Sequence, residues 1–208
     1  MAPASTEVAS EQGNPAPRLV LASASPRRRE LIARLGLVPA AIESADIDET
    51  PAPRELPRDY ARRMAREKAN ALPLADSGAG SFVLAGDTVV ACGRRILPKA
   101  EDAATARACL ALLSGRRHRV LSAVALRAPD GSLREHLSET LVRFKALSRE
   151  EVESYLAGGE WEGKAGGYAI QGSAEGLIAW ISGSHSGVVG LPLFETRALL
   201  KAAGFKIA

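Results

Sequence analysis

The chain has 208 residues, of which 46% are hydrophobic and only 4% aromatic, and carries a formal net charge of +3. That length and apolar share suffice for one substantial core, and no apolar run approaches the ~20 residues a membrane helix needs. The mild basicity lacks the dense Lys/Arg patches interleaved with aromatics that mark nucleic-acid binders, and Cys92 and Cys109 have neither CxxC spacing nor nearby His partners, which argues against a metal or redox motif.

The first residues show no basic stretch followed by an apolar one, so no secretory signal is read there. With two unpaired cysteines the expected setting is the reducing cytoplasm. Residues 1–17 are Ala, Pro, Ser, Glu and Gln without periodicity and read as a disordered tail, leaving residues 18–208 as one domain.

The apolar run Leu19-Val20-Leu21-Ala22 predicts a strand that turns on Ser23 and Ser25 into a helix. Ser25 is placed as N-cap and Pro26 at the first helical position, where a missing N–H is harmless. Leu31, Ile32 and Leu35 continue the helical face, and Gly36 supplies the stop. The charge is the anomaly. A helix N-terminus favours acids, yet Arg27, Arg28 and Arg29 fill the first turn, at a cost of a few tenths of a kcal/mol each. Either they form a solvated face or a polyanion completes the site, with free N–H groups and guanidinium forks meeting phosphate oxygens.

Residues 38–42 predict a short strand entering an acidic loop with Glu43, Asp46, Asp48 and Glu49. Such a loop is either solvated or a source of hard oxygen ligands for Mg²⁺. Residues 58–72 have helical spacing, with Lys68 in line with Ala61, Met64, Ala65 and Ala69. That position suits a snorkelling lysine and equally one aimed into a cleft. Residues 73–81 read as a linker.

Residues 82–91 are apolar on both parities, as in a strand covered on both faces, but Asp87-Thr88 interrupts the run. An unpaired buried carboxylate is costly, so Asp87 needs a hydrogen-bond partner, a metal or a task. Gly86 allows a close approach beside it. Gly93-Arg94 predicts a hairpin turn, residues 102–113 a helix, and Pro129-Asp130-Gly131 the turn of an antiparallel pair over residues 118–127 and 133–144. Ser148 to Glu151 is a capping box opening a helix that ends at Gly158-Gly159.

The last third is glycine-rich. Residues 158–165 approach the GxxxxGK[ST] pattern but have Ala165 at the Ser/Thr position and the wrong flanking elements. Residues 182–187 fail the GxSxG pattern because His185 holds the serine position. What remains is Lys164 and an amide, Gln171, expected on a strand, which can read a base edge or pair with backbone. Residues 177–181 predict a strand and residues 192–203 a last helix with Gly204 as its stop. Alternating elements with at least one hairpin predict an α/β fold with a mixed, partly antiparallel sheet and flanking helices.

Many cations, a few hard carboxylates and one amide suit a metal-bound nucleoside triphosphate, whose chemistry needs positioning, charge stabilisation and an activated water. The motifs Leu21-Ala22-Ser23-Ala24-Ser25-Pro26-Arg27-Arg28, Asp48-Glu49, Arg66-Glu67-Lys68-Ala69, Gly86-Asp87-Thr88-Val89-Val90, Lys164-Ala165-Gly166-Gly167-Tyr168-Ala169-Ile170-Gln171-Gly172 and Val188-Val189-Gly190-Leu191-Pro192-Leu193 occur in that order. In this the chain resembles the Maf family of nucleoside triphosphate pyrophosphatases from about residue 18 onward. The resemblance implies an inosine triphosphate pyrophosphatase-like fold with a central cleft, frequent pairing into homodimers, and divalent-metal-dependent cleavage (Mg²⁺ or Mn²⁺) to nucleoside monophosphate and pyrophosphate. Composition and the lack of a membrane-length apolar run add the expectation of no nucleic-acid or membrane partner.

By motif, Asp87 matches the family's catalytic acid and, with Glu49, its metal-holding acids. Ser23, Arg27, Arg28, Lys68 and Lys99 match phosphate-binding positions, and Lys164 joins them as a substrate contact. Arg27, Thr88 and Gln171 occupy three positions that divide the family, in the combination resembling the dTTP- and UTP-directed branch, modified pyrimidines included. The 7-methyl-GTP branch carries an aromatic, Gln and Glu there. Pro98-Lys99-Ala100 departs from the family's usual Lys-Pro order. Two other readings stay open from sequence: a nucleotide-binding regulator of septum formation without catalysis, and a nucleic-acid binder acting through the arginines.

Overall fold

The computed structural model describes residues 17–72 and 80–207. The expected disordered tail, apart from Pro17, and most of the expected linker lie outside them. Strands β1 (Arg18–Ala22), β2 (Ala41–Glu43), β3 (Ser81–Cys92), β4 (Arg95–Leu97), β5 (Lys99–Ala100), β6 (Arg117–Arg127), β7 (Leu133–Phe144), β8 (Lys164–Ala165) and β9 (Ile178–Ser182) alternate with six helices. These are α1 (Pro26–Ala33), α2 (Pro57–Ala71), α3 (Ala103–Leu113), α4 (Arg149–Ala157), α5 (His185–Val189) and α6 (Leu193–Ala202). The fold is mixed α/β.

The main sheet runs β2-β1-β3-β6-β7-β9, with β4 beside β3, and β5 and β8 form a separate ribbon. β1 is parallel to both β2 and β3, and the remaining pairs are antiparallel. β3 is the strand that positions the site. Its first half pairs with β1 as far as Ala22↔Ala85, and β4 takes up that same edge only at Val90↔Leu97. Residues 86–89 therefore have β6 on one side and a gap on the other. The chain leaves β1 and starts α1 at that gap, which is where ligands enter open sheets with parallel strands.

Side-chain alternation along β3 sends its residues to two helical layers. Val83, Ala85 and Val89 pack with Ala61, Met64, Ala65 and Ala69 of α2, so Asp87, of the same parity, points toward α2. Leu84 packs with Leu31 and Ile32 of α1 and Leu199 and Leu200 of α6, so Thr88 belongs to that opposite face. Beyond the gap, Val90, Leu97, Val120, Val142 and Phe144 form a third core with α3, α4, Trp161 and Tyr168.

Four expectations need correction. The short strand expected at 38–42 is β2 at Ala41–Glu43, and Val38 is 90% exposed. Gln171 lies in a turn rather than on a strand, because Gly166 and Gly167 adopt φ of +69° and +68° and fold the segment back after two ladder residues. The final helix starts at Leu193 with Pro192 as its N-cap, and a short helix, α5, precedes it. Ser25 is the N-cap of α1, but its side chain makes no cap bond. The capping box at Ser148 and Glu151 forms as expected. Both cysteines are free, and burial pushes the Cys109 thiol up. Among the described residues no helix is long and apolar enough to cross a membrane.

His118 of β6 is the main polar group of the third core. It is 2% exposed, stacks on Phe144, and its Nε2 bonds Tyr168 Oη at 2.8 Å, while Nδ1 finds no partner among the described residues. Burial pushes its pKa down to about 4 from 6.5. The folded state thus disfavours imidazolium, so His118 contributes stability that is complete above pH 6.5 and lost as pH falls toward 4. A His118→Gln variant is expected to remove that part of the acid destabilisation. Urea unfolding at pH 7 and pH 4.5 should show a wild-type loss steeper than the variant's by about 2 kcal/mol, and equal slopes would refute it.

Candidate active site

A cleft of about 440 Å³ opens at the gap beside β3. All ten residues singled out from sequence line it: Ser23, Arg27, Arg28, Glu49, Lys68, Asp87, Thr88, Lys99, Lys164 and Gln171. They come from six separate stretches of chain, so the fold assembles what the sequence only lists in order.

At the cleft's α2 wall stands a chain of charges. Lys68 and Asp87 are 7% and 6% exposed, and Lys68 Nζ lies 2.7 Å from Asp87 Oδ1. The same ammonium lies 2.8 Å from Glu49 Oε1, and Lys99 Nζ lies 2.9 Å from Glu49 Oε2. Lys68 is therefore a cleft residue rather than a snorkelling one. Burial opposes the ionisation of Glu49, but the ammonium groups of Lys68 and Lys99 outweigh it and hold the carboxyl at about 2. Asp46 and Asp48 do not line the cleft; Asp48 Oδ1 instead accepts a bond from Thr50 N at 2.8 Å and shapes the loop.

The acidic loop is tied down by residues that sequence reading passed over. Tyr60 Oη donates to the Glu49 carbonyl at 2.7 Å, and Arg63 Nη2 donates to the Thr50 carbonyl at 3.0 Å while its Nε meets Glu55 at 2.8 Å. Tyr60 and Arg63 are three apart on α2, so one helix face carries both anchors. Burial, with the carboxylates of Asp87 and Glu49, pushes the Tyr60 phenol up to about 12, which keeps it a donor. A run of tyrosine and arginine on a helix gives no sign in sequence of which loop carbonyl it will meet.

The opposite wall is the start of α1. Arg28 Nη1 donates to Ser23 Oγ at 3.0 Å, Ser25 N donates to the same oxygen at 3.2 Å, and Arg28 Nε donates to the Gly190 carbonyl at 2.8 Å. Gly86 makes room for this: a Cβ there would lie 3.5 Å from Arg28 Nε and 3.2 Å from the Ala123 carbonyl. Burial pushes Arg28 down, and the nearby Asp87 charge opposes the shift. Burial lowers Arg27 as well, and Arg29 is exposed, on the solvated face. Thr88 Oγ1 bonds Ser122 Oγ at 2.9 Å and donates to the Gly190 carbonyl at 3.3 Å.

The glycine-rich segment closes the third side. Gly166 presses on Val90, where a Cβ would come within 2.8 Å of Cγ1, and Gly167 presses on Ala106. That close packing holds Lys164 and Gln171 over the cleft. Lys164 Nζ donates to the Glu162 carbonyl at 2.7 Å, and burial together with the Arg27 charge lowers its affinity for a proton. Lys99 and Lys164 belong to the paired strands β5 and β8, so Pro98-Lys99-Ala100 still delivers its lysine to the cleft.

Five cations and two carboxylates around one cleft, in an α/β sheet with a gap at its centre, define a protein shaped for a polyanionic ligand. The chain belongs to the Maf family: the family model described as "Maf-like protein" matches residues 18–203. It is 69% identical to a dTTP/UTP pyrophosphatase of Novosphingobium aromaticivorans over 92% of this chain and 94% of that one. It is 63% identical to a dTTP/UTP pyrophosphatase of Rhodospirillum rubrum over 90% and 89%. Among solved structures it is similar to a HAM1 protein from Coxiella burnetii, with a TM-score of 0.43 and 18% identity over 64% of this chain and 75% of that one.

Proposed function

We propose that this chain is a cytoplasmic nucleoside triphosphate pyrophosphatase that acts on dTTP and UTP, modified pyrimidines included. The observation that carries this reading is the Lys68 ammonium joining Asp87 and Glu49 at 2.7 and 2.8 Å, across one cleft from Ser23, Arg27 and Arg28. The close relatives named for that activity support it.

In this reading Arg27, Arg28, Lys99 and Lys164 draw the triphosphate into the cleft. Asp87 takes a proton from a water that attacks the α-phosphorus; the bond from that phosphorus to the α–β bridging oxygen breaks, and pyrophosphate leaves. Lys68 fixes the Asp87 carboxylate in place. The Gln171 amide offers a donor and an acceptor, which complement the O4 acceptor and N3–H donor of thymine or uracil.

The donor set also fits a divalent cation. Among the described residues no cluster of three or more His, Cys, Asp or Glu forms a cage. Two carboxylates beside a phosphate cleft are instead the share of ligands that Mg²⁺ takes from protein when the substrate's oxygens supply others. Asp87 and Glu49 would hold it, and when bound it neutralises phosphate charge.

The test is pyrophosphate release from dTTP, UTP, CTP, ATP, GTP and 7-methyl-GTP with Mg²⁺ or Mn²⁺, with Gln171→Glu alongside. dTTP and UTP are expected to lead, and Gln171→Glu to lower kcat/KM for both by about tenfold or more, since it replaces the donor with a carboxylate facing O4. Preferred cleavage of purines would overturn the base assignment, and nucleotide binding without release under either metal would overturn the catalytic one.

A further inference from the structure

The Gly190 carbonyl accepts from both Arg28 Nε and Thr88 Oγ1, at 2.8 and 3.3 Å, so the place of that oxygen sets a phosphate-binding side chain. Gly190 ends the short turn that begins at Ser184. Its φ of +147° and the bonds Gly190 N to Ser186 O and Leu191 N to Ser186 O, both 3.0 Å, make the turn tight. At its Ser184 end the turn is seated on the sheet by a buried hydroxyl. Thr140 Oγ1, on β7, accepts from Ser184 N at 2.9 Å and donates to Ser184 O at 3.3 Å, holding both main-chain groups of the residue that caps α5. Gly183 lies so close that a Cβ would come within 2.7 Å of Thr140 Oγ1. Thr140 is 1% exposed and does not line the cleft.

We infer that Thr140 is a positioning residue for polyphosphate binding, acting through the turn from Ser184 to Gly190 on Arg28. The inference rests on the phosphate-binding role proposed above for Arg28. A valine has the shape of threonine but can hold neither Ser184 N nor Ser184 O, so Thr140→Val frees the Ser184 end of the turn and loosens the Gly190 carbonyl that holds Arg28. A serine keeps the hydroxyl.

The test uses the full-length protein and inorganic tripolyphosphate as probe, with affinity read by calorimetry and dTTP kinetics run in parallel. Thr140→Val is expected to weaken tripolyphosphate binding and raise KM about five- to tenfold with kcat within about twofold, and Thr140→Ser to restore both. In an Arg28→Gln background Thr140→Val should add less than about twofold, because the residue it acts through is gone. Wild-type affinity in a folded Thr140→Val protein, or the same fold loss with and without Arg28, overturns the inference. If Thr140→Val does not fold, Ser186→Ala tests the same turn from within by removing the bonds of Ser186 Oγ to Leu193 N at 3.0 Å and to Ser184 Oγ at 3.1 Å; it should weaken binding about threefold, and unchanged affinity overturns the idea. The binding arm needs no turnover, so a wild-type protein that binds tripolyphosphate and releases no pyrophosphate counts against the pyrophosphatase reading alone.

Discussion

An Asp87→Asn variant is expected to fold with a melting temperature within a few degrees of wild type and to release pyrophosphate from dTTP about 10²–10⁴-fold more slowly, the usual contribution of a positioned general base. The two expectations go together because of Lys68. Asparagine keeps an oxygen that can accept from the Lys68 ammonium, and Glu49 Oε1, 2.8 Å away on the other side, remains as its counter-charge. The buried ammonium is therefore not stranded. What disappears is the carboxylate that can receive a proton beside the cleft. Circular dichroism and a pyrophosphate-release assay check the two halves separately. Turnover within a few-fold of wild type would remove Asp87 from the mechanism, whatever the stability.

Lys68→Met should do the opposite, damaging both. Methionine refills most of the space of the lysine stem in the α2 stripe beside Met64 and Ala65, so the apolar packing survives. The Asp87 carboxylate, 6% exposed, loses its ion-pair partner, and breaking a buried pair from one side costs about 3–5 kcal/mol. Glu49 keeps Lys99 at 2.9 Å, so the acidic loop suffers less. Urea unfolding at neutral pH measures the loss. Adding Asp87→Asn to Lys68→Met should recover most of it, because the stranded charge is removed, while the double variant stays inactive. A Lys68→Met protein as stable as wild type would show that the pair is not what holds Asp87, and the geometry of the α2 wall would need another explanation.

The candidate site was unusually legible in the sequence because its residues break local rules. Arg27 and Arg28 oppose a helix dipole, Asp87 interrupts an apolar strand, and Gly86 stands where bulk would be expected. Such violations mark places where a ligand or a distant partner compensates. Lys68 is ambiguous in sequence because its position in the apolar stripe is the same whether it snorkels or points inward. Only the crossing of α2 over β3 brings it to Asp87, 19 residues away in sequence. Gln171 reads as strand because the apolar run after Tyr168 resembles one, but Gly166 and Gly167 in left-handed conformations turn the chain away. The helix α5 gives no signal in sequence, since five residues with one serine and one glycine carry no helical period.

The sequence alone determined the alternation of strands and helices, the length and both-face burial of β3, the identity of every charged group in the cleft and the membership of the family. Those features are local or nearly so: periodicity of two or 3.6, capping chemistry and turn residues act within a few positions. Tertiary structure decided which charges meet. The parity of β3 sends Asp87 to the α2 face and Thr88 to the α1 face. The gap between β1 and β4 opens the cleft beside them. The supporting contacts of Tyr60 with Glu49, Arg28 with Gly190 and Thr140 with Ser184 join segments 11, 162 and 44 residues apart. No local pattern encodes such pairings, because each depends on a main-chain carbonyl or amide that every residue possesses and only packing brings into reach.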